Sequence, residues 1–296
     1  MMTTLDIYSG TALSDRDADR LHAPVPPGSP TTPPASSARS EYVRVGLPDG
    51  PALRPRCPML VVGGNGGSGA TTTAIGITSA LTQVEGSGWP VVVDATPAGG
   101  DLARRGADEH RCLSSVQAWL ASIEPSLPSP VEDACGFSSL GIGVLGRTEN
   151  HLPRRETFAS VHRLLGDAGV AAVYDGGAPL QANGIRPLLA DPRVPVVVTV
   201  AARADAANRL MPALEWLDEH CTEFVVADCA VVVTHQSVHA HRGVSEHLRT
   251  HLGQWVRGVF DIPYDPHLAL GGPITWAQLN PLTRTAYRNL MQEMQK

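Results

Sequence analysis

The sequence predicts a three-layer α/β/α sandwich around a mostly parallel sheet. Three observations predict it. Short apolar, β-branched runs recur from Met59 onward, and they are continuous rather than alternating, as in strands covered on both faces. Longer helical patterns separate them, which fits a parallel sheet joined by right-handed crossovers. Two of the runs end in aspartates, Asp94 and Asp175, at the strand ends where such sheets bind ligands.

Taken in order, residues 1–57 stand apart. Prolines crowd between His22 and Pro58 among Ser, Thr and Ala, a composition that cannot bury enough apolar surface to offset the entropy of ordering. This stretch is expected to be a disordered tail or linker with polyproline II character, with Ile7–Tyr8 and Tyr42–Val45 as short pieces able to order. A single domain is expected over 58–296. Its strands are predicted at Met59–Val62, Val91–Asp94, Ile142–Leu145, Ala171–Asp175, Val194–Val200, Ala230–Thr234 and Val256–Ile262. Helices are predicted at Thr71–Gln83, Ser114–Ser122, Arg155–Asp167, Asp205–His220, Ser237–Leu252 and Pro281–Gln295. The C-terminal pattern of Leu279, Leu282, Tyr287, Leu290, Met291 and Met294 is helical and amphipathic with little basic charge, so it is expected to dock on the core rather than on lipid.

Composition removes several chemistries. The chain has 296 residues and 23 basic side chains, yet its one lysine is Lys296. A lysine Schiff base, a Tyr-x-x-x-Lys dehydrogenase pair and a phosphate-gripping loop lysine are therefore all excluded from the body of the chain. The net charge of −6 supplies no global basic field and argues against direct nucleic acid binding. Five scattered cysteines without a C-x-x-C pair read as reduced thiols. No apolar stretch has the length of a membrane span and the N-terminus lacks a signal-peptide core, so a cytoplasmic location is expected.

The most informative segment is Met59-Leu-Val-Val-Gly-Gly-Asn-Gly-Gly-Ser-Gly-Ala-Thr-Thr-Thr-Ala. An apolar strand enters five glycines and a helix begins at the threonines. Glycines admit positive φ and close approach of amide N–H groups to an anion, and the helix N-terminus adds unpaired N–H groups and a positive dipole end. A bare strand-to-helix turn needs far fewer glycines. Two phosphate loops fit. Gly64-x-Gly66-x-x-Gly69 matches the dinucleotide fingerprint, with Asp94 as its acidic partner. The same residues match G-x-x-x-x-G-K-S/T at all positions but one, with Ala70 for the lysine and Thr71 as the magnesium-ligating hydroxyl. Three threonines at the helix start favour the second. Pro90-Val-Val-Val-Asp94-Ala-Thr-Pro-Ala-Gly-Gly-Asp101-Leu and Ala171-Ala-Val-Tyr-Asp175-Gly-Gly follow. An aspartate ending a buried strand beside a phosphate loop can hold the waters of Mg²⁺, although many such aspartates only cap helices.

Together these segments resemble the MinD/ParA family of P-loop ATPases, including its CpaE/TadZ-like branch. That family's Walker A loop reads K-G-G-x-G-K-S/T-S/T; here the matching run is Asn65-Gly66-Gly67-Ser68-Gly69-Ala70-Thr71-Thr72. Switch I corresponds to Asp94–Leu102 and the Walker B-like strand to Val173–Gly177; Val196–Ala207 and Phe260–Gly272 resemble further strand-to-helix junctions. The resemblance covers most of residues 59–296. It implies a P-loop NTPase fold, ATP or ADP with Mg²⁺ as ligand, a nucleotide site at Gly64, Asn65, Gly66, Gly67, Ser68, Gly69, Ala70, Thr71 and Thr72, and a metal set of Thr71, Asp94 and Asp175. It also implies a homodimer, or a heterodimer with a related ATPase.

The departures are as telling. Both family lysines are replaced, by Asn65 and Ala70, and Thr96 stands where the second switch carboxylate is expected. No base-contacting Asn follows Val233-Thr234-His235. Loss of one donor aimed at developing phosphate charge costs about 10²–10³ in rate. The expectation is therefore a nucleotide-binding protein with impaired or absent hydrolysis, a regulatory or scaffolding part of a secretion, pilus, partition or conjugation system. No catalytic residue is assigned beyond Asp94. The alternatives are a slow ATPase that uses Arg104, Arg105 or Arg147, an NAD(P)-binding oxidoreductase, and a pseudo-NTPase that binds proteins only. His235, His239, His241, His247 and His251 cluster late in the chain, but Glu246-His-Leu-Arg-Thr-His251 places the Glu outside the pair, so surface histidines are expected rather than a zinc site. Asp205 and Asp218 are expected to face solvent, and Trp89, Trp119, Trp216, Trp255 and Trp276 to serve packing.

Overall fold

The computed structural model describes residues 58–84, 88–122, 130–152, 154, 156–221, 224–238 and 242–296. The expected tail, with Ile7–Tyr8 and Tyr42–Val45, lies outside the described residues.

The elements follow one another as β1 (Met59–Gly63), α1 (Ala70–Leu81), β2 (Pro90–Asp94), α2 (Leu102–Gly106), α3 (Val116–Ser122), β3 (Gly136–Phe137), β4 (Gly143–Leu145), α4 (Thr157–Asp167), β5 (Ala171–Gly177), α5 (Arg186–Leu189), β6 (Val196–Ala201), α6 (Ala204–His220), β7 (Ala230–Thr234), α7 (Arg242–Leu252), β8 (Gly258–Ile262), α8 (Pro266–Ala269) and α9 (Pro281–Met294). Among the described residues, eight strands form one sheet in the order β3-β4-β2-β5-β1-β6-β7-β8. All pairings are parallel except β3 with β4. All seven predicted strands are present. The antiparallel β3 was not predicted, because two residues carry no readable period.

Strand residues alternate between two cores. Leu60 and Val62 join Phe158, Val161 and Leu165 of α4 and Leu210, Leu214 and Leu217 of α6 on one face. Met59 and Val61 join Ile75 and Ile77 of α1 and Tyr287, Leu290 and Met291 of α9 on the other. Both faces are covered, which is why the strand sequences read as unbroken apolar runs. The sandwich has the three expected layers. The strand order also separates the two phosphate-loop readings. In the dinucleotide fold the first two strands are neighbours. Here β5 lies between β1 and β2, so Asp94 belongs to the next strand but one from the glycine loop.

The predicted helices are present; α1 and α6 begin one residue earlier than expected, and the others are shorter. α3 starts at Val116 because the Ser115 hydroxyl accepts from the Ala118 amide at 3.2 Å and caps it. α7 starts at Arg242, later than Ser237; ahead of it the Gln236 side chain donates to the Gly67 carbonyl. α9 packs on α1, as its apolar stripe predicted, with Tyr287, Leu290, Met291 and Met294 buried. The contact is close: a Cβ on Gly76 would lie 2.4 Å from the Tyr287 ring. Trp119 and Trp276 are buried as expected. Trp255 is a correction: it is 63% exposed, because it sits in the turn after α7 rather than on a buried face. Asp205 and Asp218 face solvent. Among the described residues, no helix is long and apolar enough to cross a membrane.

Candidate functional site

The site grows out of β1. Gly64 N donates to Thr199 O of β6 at 2.9 Å, so the loop leaves the sheet in the strand's own register. Gly67 and Gly69 then take φ of 72° and 88°, values that L side chains rarely adopt. Gly69 is the N-cap of α1. The first hydrogen bond of the helix returns from Thr73 N to Gly69 O at 2.9 Å. The amides of Ala70, Thr71 and Thr72 thus precede it, at the positive end of a 12-residue helix.

Side chains from neighbouring strands hold the loop in shape. Ser68 Oγ and Thr199 Oγ1 are 2.8 Å apart and both buried. Thr234 at the end of β7 donates to Ser68 O at 2.9 Å. A Cβ on Gly69 would crowd Thr234 Cγ2 at 3.0 Å, in addition to straining a backbone at φ 88°. A Cβ on Gly66 or Gly67 would meet nothing within 4 Å. The loop is thus clamped from below and open above. Asn65 turns back on the loop, its Nδ2 donating to Gly66 O at 3.1 Å.

Residues Asn65 to Thr72 line a cleft of about 560 Å³. On one side it is closed by Asp101, Arg105, Gly177 and Ala178; on the other by Thr234, His235, Gln236 and the wall of Ile262, Pro263, Tyr264 and Leu268. Asp265 fixes that wall: its Oδ1 accepts from His267 N at 2.9 Å and its Oδ2 from Asn280 N at 2.8 Å. The cleft thus has helix-start amides at one end and a largely apolar wall at the other.

The two strand-end aspartates have different surroundings. They are register partners on β2 and β5. Asp94 is fully buried and taken up by its own loop: Oδ1 accepts from Thr96 Oγ1 at 2.6 Å and Thr96 N at 3.1 Å, and Oδ2 from Gly100 N at 3.0 Å. Burial raises its pKa, against those three bonds and the charge of Arg147. Asp94 is not among the cleft-lining residues. Arg147 braces the same loop by donating to Thr96 O. Asp175 is also fully buried, but less satisfied. Its Oδ1 accepts from Gly177 N at 3.1 Å, and its Oδ2 has no partner among the described residues. Burial pushes its carboxyl up to about 7; the facing Thr71 hydroxyl lowers it, and the Asp94 charge adds to the rise. A buried, orphaned carboxylate oxygen behind the threonine at the helix start is a donor set that fits a hydrated divalent cation.

Of the sequence-predicted site residues, Asn65 to Thr72 come together in one cleft, Asp175 stands behind Thr71, Gly64 anchors the loop, and Asp94 clasps the loop that follows β2. Gln236 was not singled out; Arg105 entered only as one of three arginines that a slow ATPase could use, and the wall after β8 only as a resembling strand-to-helix junction. The Phe-Asp-Ile-Pro-Tyr-Asp run marked that wall, and nothing in sequence separates Arg105 from Arg104. His247 and His251 are exposed with rings 4.2 Å apart, and no group of three or more His, Cys, Asp or Glu among the described residues could hold an ion; His239 and His241 lie outside them. Cys112, Cys135, Cys221 and Cys229 are free thiols.

No family model matches the chain. It is 27% identical over 236 residues to the ESX-1 secretion-associated protein EspI of Mycobacterium tuberculosis, a match that covers 75% of this chain and 34% of that protein. The chain thus spans about a third of the length of the curated relative it matches. Among solved structures it resembles a ParA family ATPase from Chlorobium tepidum TLS at a TM-score of 0.62 and 14% identity, covering 80% of this chain and 99% of that one. The cell division ATPase MinD of Pyrococcus furiosus superposes with a TM-score of 0.58 at 18% identity, over 81% of this chain and 98% of its own. Cobyrinic acid a,c-diamide synthase of Mycobacterium smegmatis, solved with a bound ATP analog and magnesium, gives a TM-score of 0.50 at 18% identity, over 79% and 93% of the two chains. The chain therefore carries the same fold as these ParA- and MinD-type ATPases, a mostly parallel sheet between two helical layers.

Proposed function

We propose that the chain binds ATP or ADP with Mg²⁺ in the glycine-loop cleft and hydrolyses ATP slowly or not at all. The observation that carries this reading is a cradle kept in shape around an absent charge. Gly67, Gly69, Ser68 and Thr234 hold the loop as a phosphate site needs it, while Ala70 and Asn65 occupy the positions from which lysines would reach the phosphates. The amides of the loop and of the first turn of α1 would receive the phosphates. Thr71 would hold the cation directly and Asp175 through its waters; when bound, Mg²⁺ supplies charge neutralisation on the phosphates. Asp94 would act as the clasp of switch I rather than as a base, since both its oxygens are already bonded.

A binding state without efficient turnover suits a regulatory or scaffolding component that pairs with a copy of itself or with an active relative. The likeness to a secretion-associated protein supports a secretion system over pilus, partition or conjugation machinery. Calorimetry with ATP–Mg²⁺, ADP and NADH tests the reading: binding of the adenine nucleotides without NADH is expected, and binding of NADH alone would refute it. Ala70→Lys is expected to raise ATP hydrolysis at least tenfold. A wild type that already turns over as fast as that variant would show that the cradle is not impaired.

A further inference from the structure

A phosphate site without a lysine still has to balance the charge of its ligand. Three arginines near switch I are available, and the fold separates them. The Arg104 side chain is 74% exposed and bonds Asp101 Oδ2 at 3.4 Å on the outer face of α2. Arg147 is committed to the switch loop through Thr96 O, and to Asn150 O at 3.4 Å, and does not line the cleft. Arg105 lines the cleft together with Thr71 and Thr72. Its side chain is 13% exposed, and its Nε is buried without a hydrogen-bond partner among the described residues. The nearest carboxylate, Asp101, stands 3.9 Å away, beyond hydrogen-bond reach. Its backbone is pinned, because Arg105 O accepts from Ile274 N at 2.7 Å. Its charge acts on the Tyr287 hydroxyl, which itself lies 3.5 Å from Thr72 O at the first turn of α1.

We infer that Arg105 is the cation that faces the phosphates of the bound nucleotide, reaching in from α2 in the role a loop lysine would fill from the cradle itself. The inference rests on the nucleotide reading of the cleft and adds the identity and the location of the charge. A guanidinium suits that role, since it stays protonated and presents a planar fork that can pair with two phosphate oxygens. Its location changes how the site works. Arg105 follows directly on the loop that Asp94 clasps through Thr96 and Gly100. Charge recognition is thereby carried by the switch segment, so a displaced switch loop removes the cation as well as the loop.

The test is nucleotide affinity of the full chain, measured by calorimetry with ADP–Mg²⁺. Arg105→Gln is expected to weaken binding by about 10- to 100-fold, the usual weight of a hydrogen bond to a charged group. Arg105→Met, with an unbranched apolar stem, serves where the Gln variant does not fold. Arg104→Gln is expected to stay within twofold of wild type, and Arg105→Lys to fall between wild type and Gln. Adding Ala70→Lys to Arg105→Gln is expected to restore binding, which a purely structural role for Arg105 would not allow. If wild type binds ADP–Mg²⁺ and both charge-removing variants bind within threefold of it, Arg105 is not the phosphate cation and the nucleotide reading stands. If wild type binds neither ADP nor ATP, the reading and this inference fall together.

Discussion

Asp175 makes the cleft's chemistry measurable without any ligand. Its carboxyl is held at about 7 against an ordinary 3.8, first by burial and then by the neighbouring Asp94 charge. A carboxyl raised in this way favours the folded state while it is protonated. That contribution is complete below the unfolded pKa and is lost as pH rises through the folded one. Between about pH 5 and about pH 7.5 the linkage integral amounts to roughly 2 to 3 kcal/mol. Asp175→Asn keeps the shape and removes the titration. Asp94, also raised by burial but held by its three bonds and by Arg147, stays in both proteins. Urea unfolding of the two proteins across this range should show wild type losing about 2 to 3 kcal/mol relative to the variant, on the order of 5–10 °C in thermal midpoint. If the two stabilities run parallel over that interval, Asp175 is already ionised in the folded protein and the picture of an orphaned, protonated carboxyl waiting behind Thr71 is wrong.

Two further outcomes follow from packing. Gly76→Ala would normally favour a helix by about 0.5–1 kcal/mol. Here the added methyl meets the Tyr287 ring at 2.4 Å, so destabilisation of about 1–3 kcal/mol is expected in a thermal melt; a gain in stability would mean that α9 gives way easily. Thr199→Val removes the buried partner of Ser68 without changing volume, and should cost about 1–2 kcal/mol and weaken ADP–Mg²⁺ binding several-fold. Unchanged affinity would show that the loop holds its shape without that clamp.

Much of this molecule is legible along the sequence because its chemistry is contiguous. The glycine loop lies within a dozen residues, and the strands are unbroken because both faces are buried. What escaped was decided by single turns or by distance. Arg104 and Arg105 are adjacent and chemically alike, and one residue of rotation on a five-residue helix sends one to water and the other to the cleft. Asp94 and Asp175 look equivalent as strand-end aspartates, yet the loop after Asp94 folds back onto both its oxygens and the loop after Asp175 onto only one. Gly76 reads as an ordinary helix glycine until Tyr287 arrives from far along the chain. Trp255 reads as core because tryptophan usually is.

That distance has a consequence for how the protein is made. The helix that begins in the glycine loop is among the first described elements of the domain to be synthesised, and α9, which covers it, comes far later. During synthesis α1 therefore keeps Ile77, Leu81 and the notch at Gly76 without their α9 cover until residue 294 has been added. Contacts that close so late slow the search for the native state and leave apolar surface open meanwhile. The cradle is complete only when the chain has come full circle, so a growing chain released early would carry the whole glycine loop and still lack the support that holds its helix in place.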